Sequence, residues 1–185
     1  MSSVETALWL ALQRVLAPGA DEAIDRRILQ WLGGHPVCGR SLDVGCGPRP
    51  RLARIGLDAI GVDLHSDWGV IACATRLPFA SACFAAVWSF GLLHHLSNTS
   101  AHAALREMIR VARPGGYLVV FDGVLPEDGR LCARLVRGLD RGDSFRRQSD
   151  LEKLLEPIGR WTSERFTYAR TGLEGVFAWM EIPCL

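Results

Sequence analysis

Two acids at the ends of apolar runs, a glycine pair and two adjacent histidines are the residues whose types and spacing can do chemistry in this sequence. Ser41-Leu42-Asp43-Val44-Gly45-Cys46-Gly47-Pro48-Arg49-Pro50 is an apolar run that ends in an acid and continues at once into Gly-x-Gly. A buried strand turning sharply into a loop has this pattern. Glycine is required where backbone must approach a ligand, because a Cβ would collide or forbid the angles of the turn. Leu57-Asp58-Ala59-Ile60-Gly61-Val62-Asp63 also ends in an acid, twenty residues after Asp43. In a nucleotide-binding α/β sheet, the acid closing the second strand accepts hydrogen bonds from ribose hydroxyls. Asp63 is therefore the leading ligand-binding side chain, with a solvated turn aspartate as the plain alternative. His94 and His95 follow a third apolar run. An imidazole there can take a proton near neutral pH, or can serve only as a hydrogen-bonded wall.

The remaining charge is less pointed. Arg130, Arg134, Arg137, Arg141, Arg146 and Arg147 form the one concentrated basic region, diluted by Asp140 and Asp143. It reads as a solvated surface, or as a place where Arg146 and Arg147 meet an anionic substrate, since guanidinium geometry suits carboxylate or phosphate. The net charge of +1 provides no long-range field for nucleic acid or an anionic membrane. Lys153 is the only lysine, and the arginine bias runs along the whole chain. The six cysteines show no C-x-x-C spacing, several lie in apolar runs, and the expectation is reduced, buried thiols in a cytoplasm with no metal site. Glu5, Gln13 and Arg14 interrupt the first apolar stretch, so neither a signal peptide nor a membrane span is expected there.

The elements that must position these residues alternate. Val4, Leu8, Leu12 and Val15 predict a helix over 3–17, ended by Pro18-Gly19; Ile24, Ile28, Leu29 and Leu32 predict the inward face of a second, ended by Gly33-Gly34. Strands follow at 41–44, 57–63, 69–74, 84–90 and 117–121, with a short helical turn at 52–55 and a helix from about Thr99 to Ala112. The run Phe84–Phe90 is almost wholly apolar, as expected of a central parallel strand covered on both faces. Helices near 128–138 and 150–156 precede two strand-like segments, 161–169 and 174–182, joined by Arg170-Thr171-Gly172. So short a connection can join only antiparallel strands, and predicts a hairpin at one sheet edge. The chain length of 185 residues suits one α/β domain.

Taken together, Leu42-Asp43-Val44-Gly45-Cys46-Gly47, Gly61-Val62-Asp63, Leu77-Pro78-Phe79, Leu93-His94-His95-Leu96 and Arg110-Val111-Ala112-Arg113-Pro114-Gly115-Gly116 resemble the class I S-adenosylmethionine-dependent methyltransferases, in their small-molecule, type 11 branch. The resemblance implies a Rossmann-like three-layer α/β/α sandwich whose seven-stranded sheet has the order 3-2-1-4-5-7-6 with strand 7 antiparallel. It implies a single domain: a helical cover over 1–37, a cofactor-binding core over 40–122, and substrate-side helices with the edge hairpin over 123–185. The cofactor would be S-adenosyl-L-methionine, leaving as S-adenosyl-L-homocysteine. Asp43, Gly45, Cys46 and Gly47 would meet its methionine part, Asp63 its ribose, and Leu64, Ala74 and Thr75 its adenine. Ser89 and His94 would line the floor near the methyl group, with His94 or His95 as a general base. The partner implied is a small-molecule acceptor, with neither nucleic acid nor membrane.

Three positions depart from that pattern. Cys73 stands where an acid commonly accepts from the adenine amino group, Ala85 replaces the usual Asp after the strand phenylalanine, and Arg49, between two prolines, replaces the third small residue of the loop. Arg49 would either pair with the cofactor carboxylate or occlude it. A catalytically inactive accessory protein on the same fold is therefore the alternative to an enzyme, since fold does not certify activity. A nicotinamide-dependent oxidoreductase fits less well: its fingerprint needs a third glycine where Pro50 stands.

Overall fold

The computed structural model describes residues 19–48, 51–65, 69–125, 144–168 and 173–184. The helices expected at 3–17 and 128–138, the turn at 170–172, and Arg49, Arg130, Arg134, Arg137 and Arg141 lie outside the described residues.

Seven strands form one sheet: β1 (Ser41–Val44), β2 (Ala59–Asp63), β3 (Val70–Ile71), β4 (Phe84–Phe90), β5 (Ala112–Val124), β6 (Thr162–Thr167) and β7 (Glu174–Glu181). Their order is β3-β2-β1-β4-β5-β7-β6, as the resemblance implies. Strands β1 to β5 pair in parallel, and β7 runs antiparallel to both β5 and β6. Tyr168 N donates to Leu173 O at 2.8 Å and closes the β6–β7 hairpin.

The two sheet faces are sorted by the period-2 alternation of strand side chains. Ala86, Trp88, Val119, Phe121 and Phe177 pack under α1 (Ala20–Gly34), whose Ile24, Ile28 and Trp31 fall at i, i+4 and i+7. Leu29 was expected inward but is 52% exposed, because Trp31 completes the stripe that faces the sheet and Leu29 lies to one side of it. The Trp31 ring stacks on His35 and meets Trp88 and Tyr117 edge-on. On the opposite face, Val87, Leu118, Val120, Val176 and Ala178 pack with Leu105 and Met108 of α3 (Asn98–Val111) and Leu151, Leu154 and Leu155 of α4 (Gln148–Leu155). Burial of both faces explains why β4 reads as one apolar run.

Strand β5 is longer than the expected 117–121 because pairing with β4 begins at Ala112 and shifts register between Phe84 and Ala86. At Gly116 a Cβ would lie 2.6 Å from Ala85 O, so the close crossing of the two strands requires glycine there. The cysteines depart from expectation: Cys38, Cys73, Cys83 and Cys184 are exposed free thiols, since they fall in the segments just outside the strands. No described helix is long and apolar enough to cross a membrane.

Candidate functional site

The C-terminal ends of β1, β2, β4 and β5 lie side by side, so the acids that close the apolar runs are delivered to one end of the sheet. The loop after β1 holds Gly45 at φ +75° and Gly47 at φ +58°. A Cβ on Gly45 would meet the Leu92 side chain at 2.9 Å, whereas one on Gly47 would meet nothing within 4 Å among the described residues. Gly45 is thus fixed by packing, and Gly47 gives the loop a bare backbone face. Gly45 N and Cys46 N donate to Val62 O at 2.8 and 3.2 Å, tying the loop to β2.

Asp63 completes that tie. Its Oδ2 accepts from Gly47 N and its Oδ1 from His65 N, both at 3.0 Å. Each carboxylate oxygen keeps a further lone pair for a ligand while the two backbone bonds fix its direction. Asp43 lies beneath the loop at 1% exposure, with no partner on Oδ1. Burial pushes its carboxyl from 3.8 up to about 7, Arg51 pulls it down and Asp63 raises it further. Arg51 opens the short helix α2 (Arg51–Arg54) and pairs with Asp21 and Asp25 of α1. It also lies 5.6 Å from the centroid of the Phe90 ring at the end of β4. It therefore ties α1 to α2 beside Asp43 and the end of β4, a link the sequence does not announce.

The segment after β3 is held from two sides. Ala72 N donates to Asp63 O at 3.0 Å. Arg110 of α3 donates to Phe79 O and Leu77 O, and Glu107 accepts from Leu77 N. Ala74 and Thr75 are thereby kept beside the tip of β2, half-buried. Leu64, just after β2, and Ile71, at the end of β3, are 58% and 70% exposed beside this polar site. Cys73 Sγ lies 3.1 Å from Thr75 Oγ1, and hydrogen bonds from Thr75 lower the thiol pKa. Ser89, near the end of β4, is fully buried and its Oγ has no partner among the described residues.

His94 sits in a 3-10 turn, Leu93–His95, and is buried, whereas His95 is exposed. Its Nδ1 lies 2.5 Å from Asp122 Oδ1, and its backbone N donates to Asp122 Oδ2 at 3.2 Å. A carboxylate can only accept, so Nδ1 carries the proton and proton exchange with any other group falls to Nε2. The ring stacks on Phe145 with centroids 4.4 Å apart and touches the His95 ring at 4.1 Å. Asp122 was not singled out in the sequence, although it also ends an apolar run.

The two arginines expected on a surface or against an anion separate. Arg147 is exposed at the N-cap of α4. Arg146 is 9% exposed, and its guanidinium is spent on internal oxygens: Leu93 O, Leu96 O, Ser144 O and Asn98 Oδ1. The surface reading and the anion-contact reading of Arg146 are corrected accordingly, because burial against backbone carbonyls takes up its donors. Among the described residues no group of His, Cys, Asp or Glu is arranged to hold a metal ion.

Residues 42–120 match a family model described as a methyltransferase domain. The chain is 40% identical over 129 residues to demethylmenaquinone methyltransferase of Beutenbergia cavernae, covering 60% of this chain and 52% of that protein. It is 29% identical over 136 residues to the probable tRNA methyltransferase 9B of Mus musculus, covering 60% of this chain and 30% of that protein. The chain thus spans about half or less of the length of these relatives. Among solved structures it is similar to 1,6-didemethyltoxoflavin-N1-methyltransferase of Burkholderia thailandensis, with TM-score 0.69, 20% identity, and coverage of 98% of this chain and 87% of that one. It is also similar to an S-adenosylmethionine-dependent methyltransferase of Archaeoglobus fulgidus, with TM-score 0.70, 15% identity, and coverage of 94% and 99%.

Proposed function

We propose that the chain is a class I S-adenosylmethionine-dependent methyltransferase and that it transfers a methyl group from S-adenosylmethionine to a small organic acceptor. The observation that carries the donor reading is the pairing of a fixed carboxylate, Asp63, with a buried one, Asp43, whose Oδ1 has no hydrogen-bond partner among the described residues, on either side of a bare glycine loop. An orphaned buried acceptor costs on the order of 1–3 kcal/mol, which an arriving ammonium group relieves. A diol suits the lone pairs left on Asp63, and the exposed Leu64 and Ile71 suit a flat base that would cover them. The residues present therefore fit this donor, with Asp43, Gly45, Cys46 and Gly47 at its amino-acid end, Ala74 and Thr75 along the base, and Ser89 and His94 on the floor.

S-adenosylmethionine, when bound, supplies an electrophilic methyl group on an already activated leaving group. The chain's own task is alignment, exclusion of water and removal of one proton from the acceptor. His94 takes that proton at Nε2, and Asp122 steadies the resulting imidazolium through Nδ1–H. A hydroxyl or an acidic carbon needs this service. The relative named for demethylmenaquinone supports a small-molecule acceptor, and the net charge of +1 offers little to attract RNA.

Calorimetry with S-adenosylmethionine and S-adenosylhomocysteine tests the donor. Micromolar binding that is lost in Asp63→Ala is the expected result. No binding of either at high micromolar concentration sinks the reading and favours an inactive member of the fold, toward which Cys73 at the adenine edge points. Label transfer from the methyl-labelled donor to a short-chain demethylmenaquinol and to bulk tRNA tests the acceptor class. Label in tRNA alone would replace the small-molecule reading.

A further inference from the structure

We propose that Arg146 is a positioning residue that holds His94 against Asp122, an inference that rests on the reading of His94 as proton acceptor. The guanidinium makes five hydrogen bonds: Nη1 to Leu93 O at 2.6 Å and Ser144 O at 3.2 Å, Nη2 to Leu96 O at 2.7 Å and Asn98 Oδ1 at 2.9 Å, and Nε to Asn98 Oδ1 at 3.0 Å. Five is the full donor capacity of arginine. Leu93 and Leu96 bracket the turn that carries His94, so Arg146 caps that turn's carbonyls from within the protein. The backbone around it closes the same cage. Ser144 N donates to His94 O and Leu125 N to Arg146 O, both at 2.9 Å, and Val124 bridges to Arg146 in parallel. One residue thus fastens the His94 turn to the end of β5, two residues beyond Asp122, and seats Phe145 on the His94 ring.

Stability alone is a poor account of this arrangement. A buried guanidinium pays a desolvation cost that an apolar side chain of similar size avoids. Every bond Arg146 makes goes to the turn, to the residue that begins α3, or to its own segment. What it secures is the place of His94 relative to Asp122.

The test reads the His94 ring directly, in the full chain labelled with 15N-histidine, by long-range proton–nitrogen correlation, with His94→Gln for assignment. Wild type is expected to show the neutral ring protonated at Nδ1, and Asp122→Asn to shift the proton toward Nε2. Arg146→Met is expected to shift the pattern the same way, and Arg146→Met/Asp122→Asn to go no further than either single change. Arg146→Lys keeps the charge with at most three of the five donors. It is expected to give a partial return, and it is the variant to read if Arg146→Met does not fold. A folded Arg146 variant with the wild-type His94 pattern overturns the proposal. Binding of S-adenosylhomocysteine, expected to stay within about threefold of wild type in the folded Arg146 variants, is measured alongside. Its absence in wild type counts against the donor reading without touching the His94 result.

Discussion

Asp43, next to last in β1, and Asp63, last in β2, stand on neighbouring parallel strands, close enough that charge on Asp63 makes charge on Asp43 harder to form. Burial is the larger influence and Arg51 opposes both, leaving the Asp43 carboxyl at about 7. An acid held there is half protonated at physiological pH. The site without its donor therefore holds a proton that a cationic ligand must displace.

Donor affinity should accordingly rise with pH. Below about 7 Asp43 is neutral and offers an ammonium group no counter-charge. The dissociation constant of S-adenosylhomocysteine is expected to worsen by up to about tenfold per pH unit below that point and to level off above it. Calorimetry between pH 5.5 and 8.5 in buffers of different ionisation enthalpy would also detect the released proton. Asp43→Asn should abolish both the proton release and the slope.

The same shift has a consequence for stability with the opposite sense. The folded-state pKa of Asp43 lies above the unfolded value of 3.8, so its contribution is fully present below about 3.8 and lost as pH rises through about 7. At pH 8 the ligand-free protein carries a buried charge that Arg51 only partly offsets. Asp43→Asn should raise its Tm by several degrees at pH 8 and by roughly a third as much at pH 5, while weakening donor binding. A lower Tm at pH 8 would mean that the carboxylate is stabilised by contacts other than those described.

The two glycines of the loop should fail differently. Gly45→Ala adds a Cβ 2.9 Å from Leu92 Cδ1 at a positive φ, so strain and collision fall on the folded state, costing about 2–3 kcal/mol. Gly47→Ala meets no atom of the described residues within 4 Å and should cost only about 1–2 kcal/mol through φ. Its methyl would occupy the space the donor needs. Chemical denaturation and donor titration on both variants should show the larger stability loss in the first and the larger affinity loss in the second.

The parts of this site that were legible in the sequence are those that local chain chemistry dictates. An acid closing an apolar run and two glycines after it specify a strand end and a close turn, and Asp43, Gly45, Gly47 and Asp63 occupy those places. Asp122 carried the same signal after Tyr117–Phe121, but its meaning depends on His94, 28 residues earlier, meeting it across the sheet end. Arg146 differed from neighbouring arginines in nothing a one-dimensional pattern records, since its burial comes from the turn at 93–96 folding over it. Leu29 and Trp31 differ by two positions on one helix, and their inward order was set by which stripe met Trp88 and Phe177.

His94 and Asp122 should be separable from donor binding. Removing a general base typically costs about 10²–10⁴-fold in turnover. Once an acceptor is in hand, His94→Gln is expected to lose that much in kcat, and Asp122→Asn a part of it, with little change in the dissociation constant of S-adenosylhomocysteine. His95→Ala, at an exposed ring, should lose much less. Equal losses in kcat and in donor affinity would instead restrict His94 to its place on the floor of the donor site, with no part in proton transfer.

Cys73 offers a test of the adenine edge that needs no acceptor. Hydrogen bonds from Thr75 lower its thiol pKa, and the side chain is exposed, so more thiolate is available to an alkylating reagent than at an ordinary cysteine. Iodoacetamide labelling followed by peptide mass analysis should modify Cys73 readily, and Thr75→Val should slow it. If the donor's base lies along Ala74 and Thr75, saturating S-adenosylhomocysteine should protect Cys73 and leave Cys184, at the opposite end of the sheet, unprotected. Cys73→Asp would supply an acceptor for an exocyclic amine, and one such bond adds about 0.5–1.5 kcal/mol, a roughly two- to tenfold gain in donor affinity. Unprotected labelling together with no gain from the aspartate would place the base elsewhere, and Leu64 and Ile71 would then need another explanation for their exposure.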